Sequence, residues 1–183
     1  MEPKALNDRI LVAAQIGRCP RGQFTVSVRC SYGYPQVIRV HPVVEGKPFP
    51  TLYWLTCPFL SKEIDHLEAA GWVKRLEALV MEGGAVRSAM EAAHQRYCLQ
   101  RDQLLSSEEK RALEADGTLA GLEGRGIGGI SNWSFLKCLH LHVAHALADE
   151  NPIGDRVLAM LPACECQPHQ VICSAYDQTE QIG

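Results

Sequence analysis

At Cys57-Pro58 the chain changes period, and this change bounds the folds open to it. Ahead of the proline, Phe24 to Arg29 and Gln36 to His41 place β-branched residues in near alternation, as half-buried strands do. Ser31-Tyr-Gly-Tyr-Pro35 between them has turn residues, so the two read as a hairpin. A loop at Glu45-Gly46-Lys47-Pro48 leads to a third strand candidate, Thr51 to Thr56, stopped by Cys57-Pro58. A short helix, Asp8 to Ile16, precedes the strands, capped by Asn7 or Asp8 and ended by Gly17.

After Pro58 the spacing is helical. Ser61 is expected to cap a helix to about Ala70, ended by Gly71, and Trp72 to Met81 forms a second, ended by Gly83-Gly84. Ala85 to about Leu105 is a longer helix with Val86, Met90, Ala93 and Tyr97 on one stripe. Ser106 and Glu109 form a capping box for a helix to Ala115. A glycine-rich stretch, Gly124 to Gly129, leads to a helix from about Trp133 to Asp149. Asn151-Pro152 breaks the chain before a last helix, Ile153 to Leu161. The fold class is α+β, a small antiparallel sheet near the N-terminus packed against a mainly helical C-terminal two-thirds. Residues 1–162 read as one domain and 163–183 as an irregular polar tail containing cysteines.

Composition narrows the function classes. The 183 residues are 46% hydrophobic and 21% charged, a globular balance. The net charge of -3 gives no basic field for nucleic acid. No run of eighteen apolar residues and no leader pattern occur, so a cytoplasmic chain is expected, without membrane insertion. Eight cysteines in such a setting stay reduced, which leaves metal binding, catalysis or plain burial.

The chemistry concentrates between Trp133 and Asp149. On a helical wheel of about 100° per residue, His142 falls about 40° and His145 about 20° from Cys138, so the three share one face. Lys137 is the sole charged residue between Trp133 and Ala148. A helix this apolar is buried, and two buried imidazoles need hydrogen-bond acceptors or a metal. Thiolate with imidazole suits zinc or iron; two core histidines satisfied by backbone carbonyls are the alternative. His140 falls about 200° round, as a packing or supporting residue.

Cys30 and Cys57 stand at strand ends, where side chains can converge on that helix. Neither belongs to a Cys-x-x-Cys pair, and dispersed ligands fit an open catalytic site better than a closed structural one. Cys164, Cys166, His169 and Cys173 form a closely spaced second set in the tail, read as accessory or fortuitous. On the long helix, His94, Cys98 and Arg101 are expected on the face away from Met90 and Tyr97. From there they would supply a proton-transfer group and a cation, unless that face is simply solvated. Arg125, inside the glycine stretch, is a candidate anion ligand beside backbone amides.

The runs Arg29 to Ile38, Pro48 to Pro58, Ala92 to Arg101 and Lys137 to His145, then Asn151-Pro-Ile-Gly154, together resemble the bacterial domain-of-unknown-function family 501. The resemblance spans roughly residues 8 to 160, and Thr56-Cys57-Pro58 and Lys137-Cys-Leu-His140 are its specific motifs. It implies a bacterial cytosolic protein whose motif positions are Cys30, Cys57, His94, Arg101, Lys137, Cys138, His142 and His145. Cys19 and Cys98 fall outside the motifs. No activity comes with the resemblance.

The leading expectation is a metalloprotein, with an enzyme acting on a small anionic substrate as its sharper form. Cys30, Cys57, Cys138 and His142 would be its metal ligands, for an iron–sulfur cluster first and zinc second. His142, His145 and His94 are the candidate catalytic groups, and Lys137, Arg101 and Arg125 the substrate cations. A metal-free thiol enzyme using Cys138 and His142 is the second reading. A non-catalytic partner-binding module stabilised by metal is the third.

Overall fold

The computed structural model describes residues 3–181, and the side chains of residues 8–177. Helix α1, Pro3–Ile16, opens the chain and ends at Gly17, as expected. Its start lies five residues earlier than Asp8. Asp8 sits inside it and pairs with Arg29 at 2.6 Å instead of capping, while the Asn7 side chain falls outside the described set.

Strands β1 (Phe24–Arg29) and β2 (Pro35–Val40) form the expected antiparallel hairpin. Its turn closes through Cys30 and Tyr34, with Gly33 at φ 86°. The loop at Glu45-Gly46 holds a two-residue ribbon, β3 (Val43–Val44) with β4 (Lys47–Pro48). Strand β5 (Tyr53–Leu55) then pairs with β2, giving the order β1-β2-β5.

Central strand β2 is covered on both faces. Ile38 and Val40 pack with Val12 of α1, whereas Val37 joins Leu52, Tyr53 and the helices that follow. A sheet with one central strand cannot leave two apolar faces in water, so helices cover each.

Helix α2 (Pro58–Ala69) starts at the proline itself, with Cys57 as N-cap. Ser61 therefore lies within the first turn. Proline needs no N–H at the first helical position and its ring presets φ, so the residue that stops β5 also starts α2. Helices α3 (Trp72–Met81), α4 (Gly84–Gln103) and α5 (Ser107–Ala115) follow, the last with the Ser106/Glu109 capping box.

The buried stripe of α4 is Met90, Ala93, His94, Tyr97 and Arg101. His94 and Arg101 thus lie on the same face as Met90 and Tyr97, contrary to the expectation. Steps of three and four residues drift only about 40–60° on a helix, and in opposite senses, so these positions share one side.

Helix α6 (Leu139–Ala148) begins six residues later than the sequence reading has it. Residues 133–138 are not helical, and Cys138 is an extended N-cap at φ -163°, ψ 158°. Carboxylates from elsewhere take the amides: Glu77 Oε2 accepts from Leu136 N at 2.9 Å, and Glu68 Oε1 from Leu139 N at 2.6 Å.

Helix α7 (Pro152–Met160) has Asn151 as N-cap. It crosses α6 at Gly154, where an added Cβ would meet the His142 carbonyl oxygen at 2.2 Å. In the tail, Ile172–Gln181 forms a ten-residue 3-10 run, so this part is ordered where an irregular chain is expected. No helix among the described residues is long and apolar enough to cross a membrane.

Candidate functional site

Because Cys138 is extended, the helical wheel does not apply to it, and its thiol parts from His142 and His145. Those two histidines are buried with His94 in the interior. Asn151 Oδ1 caps α7 by accepting from Ile153 N and Gly154 N, which leaves its Nδ2 group to donate to His142 Nδ1 (3.3 Å) and His145 Nδ1 (3.2 Å). Ile127 N donates to His94 Nδ1 at 3.0 Å. An imidazole accepting at Nδ1 is neutral with its proton on Nε2. Desolvation holds all three low, His142 at about 3 and His94 and His145 at about 4. His145 stacks on Tyr53 and His94 on Trp133. These rings line neither the Cys138 pocket nor the Cys30–Cys57 cavity described below.

Arg101 is buried as well. Its guanidinium donates to the carbonyls of Pro50, Arg125 and Leu122 and so ties α4 to the two loops. Arg125 contributes its carbonyl to that network and to the Cys98 thiol. Four amides of the glycine stretch are in use: Arg125 N bonds Leu122 O, Gly126 N bonds Ile130 O, Ile127 N bonds His94, and Gly129 N bonds Gly126 O. Its glycines serve close packing, since a Cβ on Gly126 would meet His94 Nδ1 at 2.2 Å.

Cys30 and Cys57 do meet, but away from Cys138. They line a small cavity together with Cys166 and Cys173 from the tail. Cys57 caps one end of α2, and the carboxylate nearest Cys138, Glu68, is in the last turn at the other. That separation is about 16 Å of helix rise.

What Cys138 meets is His140 and Glu68. Among the described residues, these three are the group of His, Cys, Asp or Glu whose ligand atoms all lie within 4.8 Å of one another. His140 Nδ1 is 3.1 Å from Glu68 Oε1, and Nε2 is 3.2 Å from Ser61 O and 3.4 Å from Asp65 Oδ1. Both ring nitrogens face acceptors, the arrangement of an imidazolium. Hydrogen bonding with the Cys138 thiol, then the charge of Glu68, raises the ring to about 9 against its desolvation.

The pocket in front is about 300 Å³ and open, lined by Thr51, Trp54, Leu55, Lys137, Cys138, His140 and Leu141. Lys137 Nζ donates to Gly128 O at 3.2 Å, which keeps the ammonium at the rim. By spacing, His140 is expected to pack or to support the site, and nothing in the sequence singles out Glu68. Once Cys138 ends an extended segment, the residue two positions on turns to its side. Glu68 carries no local signal at all.

An α+β protein with a thiol, an imidazole and a carboxylate converging beside an open groove is the class that fold and site define. A family model described as a protein of unknown function, DUF501, matches residues 26–159, and the chain belongs to that family. Neither the curated proteins nor the solved structures give a match.

Proposed function

We propose that the chain is a thiol enzyme acting on a small anionic substrate, with Cys138 as nucleophile, His140 as its imidazolium partner and Glu68 orienting the ring. The observation that carries this reading is the convergence of the three groups within 4.8 Å at an open pocket. Cys138 has the His140 ring beside it and the N-terminus of α6 ahead of it, so a cation and a helix end both face its sulfur. Glu68 takes the Leu139 amide, while those of His140 and Leu141 in the first turn of α6 have no intrahelical acceptor, so they can receive charge that develops on a substrate oxygen. Lys137 offers the substrate a cation, and Trp54, Leu55 and Leu141 an apolar wall.

The step suited to these groups is acyl transfer. The sulfur attacks a carbonyl carbon, a C–S bond forms, and the leaving group departs with the proton of His140. Water then cleaves the thioester, and its proton restores the imidazolium.

A second reading has its own support in the same distances. Three protein ligands with an open fourth position are the pattern of a catalytic zinc site, and binding there would require His140 to release its proton.

Alkylation of the full-length protein by iodoacetamide at pH 7, followed thiol by thiol by mass spectrometry, separates the two. Cys138 is expected to react at least about tenfold faster than exposed Cys19 and Cys164, and His140→Gln to remove that difference. A Cys138 no faster than Cys19 would overturn the thiol reading. Stoichiometric zinc that protects Cys138 and is lost in His140→Gln would replace it with the second.

A further inference from the structure

The residues left unused by that site include four cysteines from distant parts of the chain. Cys30 follows β1, Cys57 caps α2, and Cys166 and Cys173 come from the tail beyond α7. All four line one small cavity, walled otherwise by Tyr32, Tyr34 and Glu165 among others. All four thiols are free.

The tail is strapped over the β1–β2 turn to bring them there. Glu165 accepts from the Ser31 amide at 2.9 Å and from the Ser31 hydroxyl. Tyr32 Oη donates to Cys166 O at 3.0 Å, and Tyr34 Oη to Asp177 Oδ2 at 2.5 Å. Gln15 Nε2 bridges Pro35 O (2.8 Å) and Cys173 Sγ (3.3 Å). Yet among described residues 162–177, Cys173 alone is buried. A polar segment ordered with one buried side chain, and that one a thiol, lacks the apolar burial that ordinarily offsets the loss of chain entropy. A ten-residue 3-10 run is likewise longer than this helix type sustains by itself.

We propose that Cys30, Cys57, Cys166 and Cys173 together bind an iron–sulfur cluster. Four thiolates are the ligand set of such clusters, and the thiols lose their protons on ligation. The spacing favours a cluster over one zinc ion. No three of these sulfurs belong to a group within 4.8 Å of one another among the described residues, whereas sulfurs on one zinc, with bonds of about 2.3 Å, lie about 4 Å apart. The family match ends at residue 159, so it covers Cys30 and Cys57 but neither tail cysteine.

The test is to purify the full chain without oxygen, reconstitute it with iron and sulfide, and measure iron, acid-labile sulfide, zinc and the visible spectrum. Iron and sulfide in equal amounts with a brown chromophore are expected. Cys166→Ser and Cys173→Ser should each lose most of the iron, while Cys138→Ser and Cys164→Ser keep it. Wild-type protein that takes up no iron overturns the proposal whatever the variants do, as does zinc bound in place of iron. Full iron in both tail variants overturns it too. Because Cys138→Ser is the internal control, its retention of iron leaves the thiol site to be judged by alkylation alone.

Discussion

The carboxamide of Asn151 uses its oxygen to cap α7 and therefore turns its NH2 group toward His142 and His145. One residue thus does three things: it starts a helix, sets two tautomers and joins α6 to α7. Asn151→Ala removes the cap and leaves two buried ring nitrogens unpaired. A loss of about 2–4 kcal/mol is expected from these sources, read as a shift in the urea midpoint. A shift below about 1 kcal/mol would show that the histidines find other donors. At the same scale, Cys138 and Cys30 illustrate opposite outcomes. Both are visible in the sequence as chemistry-bearing residues; Cys138 finds one partner, His140, two positions on and the other, Glu68, far back in the chain, whereas the thiols that Cys30 meets all come from distant segments.

Among the elements, α6 shows most clearly what a pattern can and cannot say. The stretch from Trp133 to Ala148 is apolar enough to read as one helix. In the fold the segment before α6 and the first amide of the helix are instead held by outside partners: the Trp133 ring bonds Gly124 O, and Glu77 and Glu68 take the amides of Leu136 and Leu139. The start of α6 is consequently a tertiary decision. Glu68→Ala is expected to lower stability by about 1–2 kcal/mol, since it strands the Leu139 amide, and to slow Cys138 alkylation as His140 loses its acceptor. Measuring both in one variant checks the assignment, because a change in stability alone would make Glu68 a cap and nothing more. Helix α2 teaches the converse lesson. Cys57-Pro58 was legible as the end of a strand, and the same proline geometry made it the beginning of a helix.

For the molecule as a whole, three neutral histidines in the interior set a pH limit. His94, His142 and His145 have folded values near 3 to 4, below the ordinary 6.5. As pH falls through 6.5 the unfolded chain takes up these protons and the native state does not. Their contribution is therefore complete above 6.5 and is lost between 6.5 and about 4. At pH 5.5 each histidine is one unit below its ordinary value, roughly 1.4 kcal/mol, or roughly 4 kcal/mol for three. Urea unfolding at pH 7.5 and 5.5 at fixed ionic strength is expected to show a drop of this order. Equal stability at the two would contradict neutral burial. His140 works in the other direction: its value, raised to about 9, contributes below 6.5 and fades as pH rises through 9, so it does not blur the acid window.

Sequence by itself determined the α+β class, the hairpin, the run of helices after Pro58 and the family, because period, turn residues and caps are local physics. It also singled out the cysteines and histidines, since residue type alone limits chemistry. Only the tertiary structure decided how they combine. It buried His94, His142 and His145 as a neutral cluster and gave Cys138 to His140 and Glu68. It also brought Cys30 and Cys57 to two tail cysteines more than a hundred residues away. Such meetings depend on which helix end lies against which strand, and no period in the chain encodes that.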